Sequence, residues 1–310
     1  MPMKTCLLVA LLLLLGTSTF ARQRDVILTT DCGADIDDQF AIAYLLLVPQ
    51  VHVKAIVTTH APTLPKNAES SAACARDVMR RMGLPQTPPV FAGSDVALTT
   101  RAPMRNAGVD FIVKTSRLYS PRNRMLILTI GATTDVASAL LADPSIDNRV
   151  EILTMGFQSW PEGTDPWNIK NDPLAYQVIL DSRAPITIGA ADVCVKHLSL
   201  DKEEAARLLR GHGPFAEWLE GLVDSWITNN KDLAASVVSP GHWAIWDTIT
   251  VAHILGFTTE ATYPRPALNL ADCSFSFPKT SKTIRWITSV DQQRMWPDFV
   301  RRLDTLNANK

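Results

Sequence analysis

Residues 25–48 read DVILTTDCGADIDDQFAIAYLLLV, and this stretch decides the fold. Its first six residues, DVILTT, form a short apolar, β-branched run that predicts a buried strand. DQFAIAYLLLV, over 38–48, predicts a helix that stops before Pro49. Between them lies an acidic loop. The same alternation continues outward. VKAIVTT at 53–59 predicts a second strand, and 67–82 has helical spacing up to Gly83. Short strands are predicted at 89–91, 125–130 (MLILTI), 150–155 (VEILTM) and 185–189 (PITIG), with helices over 134–141 and 172–181. The last third predicts helices over 201–210, 215–229, 243–255 and 295–306. Late strands at 275–277 and 283–289 are read as an added hairpin. Strands alternating with helices predict an α/β fold, a mainly parallel open sheet flanked by helices. No repeat, low-complexity tract or linker divides residues 22–310, so a single domain is expected.

The chain has 310 residues, 46% hydrophobic and 20% charged, an ordinary globular balance with room for a large core. A net charge of −1 provides no field to recruit nucleic acid or an anionic membrane. The pairs Arg80–Arg81 and Arg301–Arg302 are too short for a nucleic-acid footprint and read as solvated helix faces. Residues 1–21 read as a signal peptide: Lys4, an apolar run from Cys6 to Leu15, then Thr19-Phe20-Ala21 as a cleavage site. Export, with no membrane attachment after cleavage, is the expectation. Of the five cysteines, Cys32, Cys74, Cys194 and Cys273 remain in the mature chain. An oxidising compartment permits disulfides, but the spacing selects no pairing, and free buried thiols fit as well.

The acidic loop carries the chemistry. Asp31, Asp35, Asp37 and Asp38 place four carboxylates within eight residues, at the carboxyl end of a buried strand. That is where open parallel sheets bind ligands. Four acids packed there repel one another unless a cation sits between them. Calcium, a hard ion taking six to eight oxygens in loose geometry, fits such a set. Gly33 permits the tight turn that lets the acids converge. A plain helix-capping role explains Asp37 or Asp38 but not all four.

These residues resemble a known family. VILTTDCGADIDDQFAIAYLL is similar to the opening motif of the inosine–uridine nucleoside hydrolases, usually Asp-Pro-Gly-x-Asp-Asp, here two residues longer. The Gly-x-Asp-Ile-Asp-Asp form resembles that of one branch of the family. Further similarities follow in order. They are the strand 54–59 with Asn67-Ala68, the run Pro89-Val90-Phe91-Ala92-Gly93, and the turn Gly131-Ala-Thr-Thr-Asp-Val-Ala137. Met155-Gly156, Asn168 with Asp172-Pro173, and Trp246-Asp247 followed by Val251-Ala252-His253 complete the series.

The resemblance implies a calcium-dependent enzyme cleaving the N-glycosidic bond of a ribonucleoside or related riboside. It implies Ca2+ ligation by Asp31, Asp38 and Asp247 and by the main-chain carbonyl of Ile130. Asp31 would also activate the attacking water, while Asp37 and Asn168 would hold the ribose. Asp35, in the extension, would be a supporting partner of the ligands. A homodimer or homotetramer is implied too. The sequence departs from the pattern at several positions. Trp246 stands where many members carry a His that protonates the leaving base, Pro166 where a ribose-binding Glu is usual, and His60-Ala61-Pro62 where an Asn touches the sugar. His60 is therefore either a substitute substrate-binding group or an ordinary strand-end histidine. Trp160, Trp167, Trp243 and Trp246 either stack on a flat ring or pack the core. Glu162 and Asp165 are candidates to replace the Glu. Two further functions stand beside the first: a hydrolase of another glycosyl substrate, and a non-catalytic, calcium-stabilised sugar- or nucleoside-binding protein.

Overall fold

A computed structural model describes residues 23–62, 64, 66–164 and 167–308. The signal-peptide segment, Asp165 and Pro166 lie outside the described residues. Six strands open the sheet: β1 (Arg24–Thr30), β2 (Val51–Thr58), β3 (Val90–Ala92), β4 (Met125–Ile130), β5 (Val150–Met155) and β6 (Ile186–Gly189). They lie in the order β3-β2-β1-β4-β5-β6, all parallel. Thr283–Val290 joins β6 in parallel, and Thr258–Pro264 closes that edge antiparallel to it. The sheet thus has eight strands in one domain.

The period of two explains why the strands read as unbroken apolar runs. Val26 and Leu28 of β1 enter the apolar cluster on one face of the sheet, whereas Ile27 enters the other. Leu126 and Leu128 of β4 share the first face, and Met125 and Ile127 the second. With helices on both faces, neither set meets water, so alternation is invisible in the sequence. Each fully buried Val, Leu or Ile contributes roughly 1.5–3 kcal/mol.

Helix α1 (Asp37–Leu46) is buried on nearly every side, which is why it carries no polar stripe. Phe40 and Tyr44 pack on Phe299 of the last helix, Gln292–Ala308, and Tyr44 Oη donates to Asp298 at 2.9 Å. Helix α2 (Ala68–Met82) starts where Asn67 accepts the Ser70 N–H at 2.8 Å and ends at left-handed Gly83. Helices α3 (Ala107–Ser116) and α4 (Thr134–Ala142) cover the second face.

The structure departs from the sequence reading in several places. Helix α3, begun by Asn106 accepting the Val109 N–H at 2.9 Å, has no counterpart in it. Residues 243–255 are not one helix: His242–Ala244 is a strand paired with Ser199–Asp201, and the helix begins at Thr248. The late strands are not a hairpin, because Phe275–Ser276 pairs with Ala267–Leu268 while Thr283–Val290 enters the main sheet. No described helix is long and apolar enough to cross a membrane.

Candidate active site

Connections leave β1 in one direction and β4 in the other, so the crevice between their carboxyl ends is the switch point of the sheet. Asp31 follows β1 there and Gly131 follows β4. Gly33, with φ of +83°, turns the loop, and the Ala34 N–H donates to the Asp31 carbonyl at 3.0 Å. Cys32 is joined to Cys74 of α2 by a disulfide, with Cα atoms 5.7 Å apart. Asp38 then accepts a hydrogen bond from Thr30 Oγ1, tying the first turn of α1 back to the end of β1.

A cleft opens at this point. Asp31, Asp35, Asp37 and Asp38 line it, with Ile130 from β4 and Asp247 from the start of the helix Thr248–Ile254. Asp37, Asp38 and Asp247 each offer an oxygen within 4.8 Å of the others, and all three are buried. Burial, then the Asp38 and Asp31 charges, pushes Asp37 up to about 8. Burial, then Asp31, raises Asp38 well above the usual carboxylate range. Burial and the neighbouring acids, Asp37 first, do the same to Asp247. Such a group is costly as bare charge and is relieved by a cation. The donor set is oxygen only, which suits a hard divalent ion such as calcium.

Most of the residues singled out in the sequence meet at this cleft. Asn168 lines it and donates through Nδ2 to the Met155 carbonyl at 3.3 Å. Trp246, 8% exposed, lines it edge-on to Trp243. Trp167 is a third aromatic wall. Trp160 goes elsewhere, stacked on Tyr263 at 4.3 Å beside Phe275 and Trp286. His60 is only 2% exposed and stands outside the lining: Nδ1 faces the Ser94 carbonyl at 3.0 Å and Nε2 the Asn171 carbonyl at 3.3 Å. That environment suits a structural histidine that ties three segments together. Glu162 accepts from Ser159 Oγ in an exposed loop, and His253 pairs with Thr258 Oγ1.

Some motif residues serve the scaffold. Asp172 accepts from Thr134 Oγ1 at 2.6 Å, from the Leu98 N–H and from the Ala175 N–H, so it caps the helix Pro173–Asp181 and pins a loop. Asp135 accepts from Ser94 Oγ and Asn106 Nδ2. Other lining residues, including Gln158, Leu233 and Val237, had no motif to reveal them. The helix bearing the last two, Lys231–Val237, has no counterpart in the sequence reading.

An open parallel sheet with buried carboxylates gathered at its switch point defines an α/β enzyme whose cleft is built to hold positive charge. The model of the inosine-uridine preferring nucleoside hydrolase family matches residues 26–297, and the chain belongs to that family of enzymes acting on N-glycosyl compounds. A pyrimidine-specific ribonucleoside hydrolase of Escherichia coli (strain SMS-3-5 / SECEC) is 24% identical over 226 residues, spanning 65% of this chain and 71% of its own. A purine-preferring ribonucleoside hydrolase from Gardnerella vaginalis superposes with a TM-score of 0.74 at 21% identity, over 93% of this chain and 100% of its own. An inosine-guanosine nucleoside hydrolase does so with a TM-score of 0.72 at 17% identity, over 92% and 98%. At these identities the structural likeness speaks for the fold alone.

Proposed function

We propose that this nucleoside hydrolase is a calcium-dependent ribonucleoside hydrolase, exported from the cell. The observation that carries the calcium reading is the buried convergence of Asp37, Asp38 and Asp247 beside Asp31. Asp31, Asp38, Asp247 and the Ile130 carbonyl would hold the ion. When bound, it would polarise the attacking water and help anchor the sugar hydroxyls. Asp31 accepts the proton of that water. Asp37 lies close enough to Asp38 and Asp247 to grip a ribose hydroxyl beside the ion, and Asn168, held at the carboxyl end of β5, binds the sugar from across the cleft. Attack at the anomeric carbon passes through an oxocarbenium-like state, whose positive charge the surrounding carboxylates stabilise. Trp246 and Trp167 offer flat apolar walls to the departing base. Export is supported by the apolar segment at residues 6–15 and agrees with a Cys32–Cys74 disulfide.

The test is ribose release from purine and pyrimidine nucleosides, with calcium and with a chelator. Release that needs calcium supports the proposal and reveals the base preference. Calcium binding without release from any nucleoside would point to another glycoside or to a binding protein. Release that survives the chelator would remove the metal from the mechanism.

A further inference from the structure

Asp35 is the loop acid with no part in the chemistry above, and the inference rests on that metal-site reading and extends it. Its Oδ1 accepts the backbone N–H groups of Ile36 and Asp37, the latter at 3.1 Å. Its Oδ2 accepts the indole N–H of Trp243 at 2.9 Å. One carboxylate thereby joins the first turn of α1 to a residue more than two hundred positions away. Trp243 is itself firmly held. It is 2% exposed, sits on the strand His242–Ala244 paired with Ser199–Asp201, and packs between Trp226 at 5.4 Å and Trp246 at 5.9 Å. Four residues further on the chain reaches Asp247.

We propose that the Asp35–Trp243 hydrogen bond is a strut that sets the separation between the acidic loop and the segment bearing Asp247, making both members positioning residues for the cation. Asp37 and Asp38 belong to one side of the cluster and Asp247 to the other. A cation needs these acids ionised together, and their mutual repulsion then pushes the two sides apart. A buried hydrogen bond whose partners have no water to turn to is costly to break and so restrains both groups. It holds the oxygens near their binding distances beforehand, so less of the ion's binding free energy is spent on assembly. A buried indole that merely satisfies its N–H would also form this bond, but that role would alter stability without altering cation affinity.

The test uses the full chain and calcium alone as probe. Trp243→Phe keeps an aromatic ring and removes the N–H. Asp35→Ala removes the other partner. Calcium affinity is measured by calorimetry for both and for the double variant, alongside the metal-free melting temperature. The expected result is calcium binding weakened about tenfold in Trp243→Phe, as for other groups that orient metal ligands. The double variant should be no weaker than Asp35→Ala, because the two changes break one bond. Wild-type affinity in Trp243→Phe, whatever its melting temperature, would overturn the strut, and so would losses that add. A wild-type protein that binds no calcium would overturn the metal reading and the strut together.

Discussion

A methyl group added at Gly131 would lie 2.9 Å from both the backbone nitrogen and Oδ1 of Asp31. Since real Cβ atoms are not found that close to backbone, either β4 or Asp31 must move. Gly131→Ala is therefore expected to lower kcat by about a hundredfold or more, since an ångström of misplacement has that effect, while circular dichroism stays native. Asp31→Ala removes the proposed base itself. Turnover should fall by about 10²–10⁴-fold in a protein that still melts cooperatively, and an active variant would remove the mechanism. The acids of the loop are legible in the sequence because four carboxylates crowded after a buried strand repel one another unless a cation joins them. The partner of Asp35 is not. A hydrogen bond between residues so far apart leaves no local pattern, and Trp243 reads as helix because its apolar neighbours Ile245 and Trp246 mimic helical spacing.

Among the elements, the loop from Asp31 to Asp38 is clamped by the disulfide from Cys32 to Cys74 of α2. The bridge closes a loop of 42 residues in sequence, which also encloses all of β2. Constraining the unfolded chain in this way is worth about 2–4 kcal/mol. Cys74→Ser should lower stability by that order in denaturant titrations, with the larger functional loss in calcium affinity, because the freed loop carries the ligands. Neither cysteine has a spacing that names its partner, so only the packing of α2 against α1 brings them together. The strands β1, β4 and β5 are legible as continuous apolar runs. The strand Thr258–Pro264 is not: it is an edge, half open to water, and its polar residues carry no apolar strand signal.

For the whole molecule, the buried acids tie stability to pH. Asp37 is pushed up to about 8 by burial and its acidic neighbours, whereas an unfolded chain ionises it near the ordinary value of about 4. Between those values the unfolded state has released a proton that the folded state keeps. The stability contributed by the protonated group is complete below about 4 and is lost as pH rises toward 8. The metal-free protein should thus melt at a lower temperature at pH 8 than at pH 5. Calcium binds the ionised acids, so its stabilising effect should grow over the same window and proton release should accompany binding. A flat profile in scanning calorimetry would show that the acids are already neutralised by something else. At this scale the α/β class and single domain are readable from element order alone. The strand order is not, because β6 and Thr283–Val290 are neighbours that share no local signal.

That last pairing has a consequence for how the protein is made. Synthesis delivers β1 to β6 first, but the strand that covers the outer edge of β6, Thr283–Val290, follows only 94 positions after Gly189. Until then a nascent molecule presents Ile186–Gly189 as an open apolar edge, a template for pairing with other chains. Pairing of Thr283–Val290 with this edge, rather than assembly of the carboxylate loop, is the event that completes the sheet.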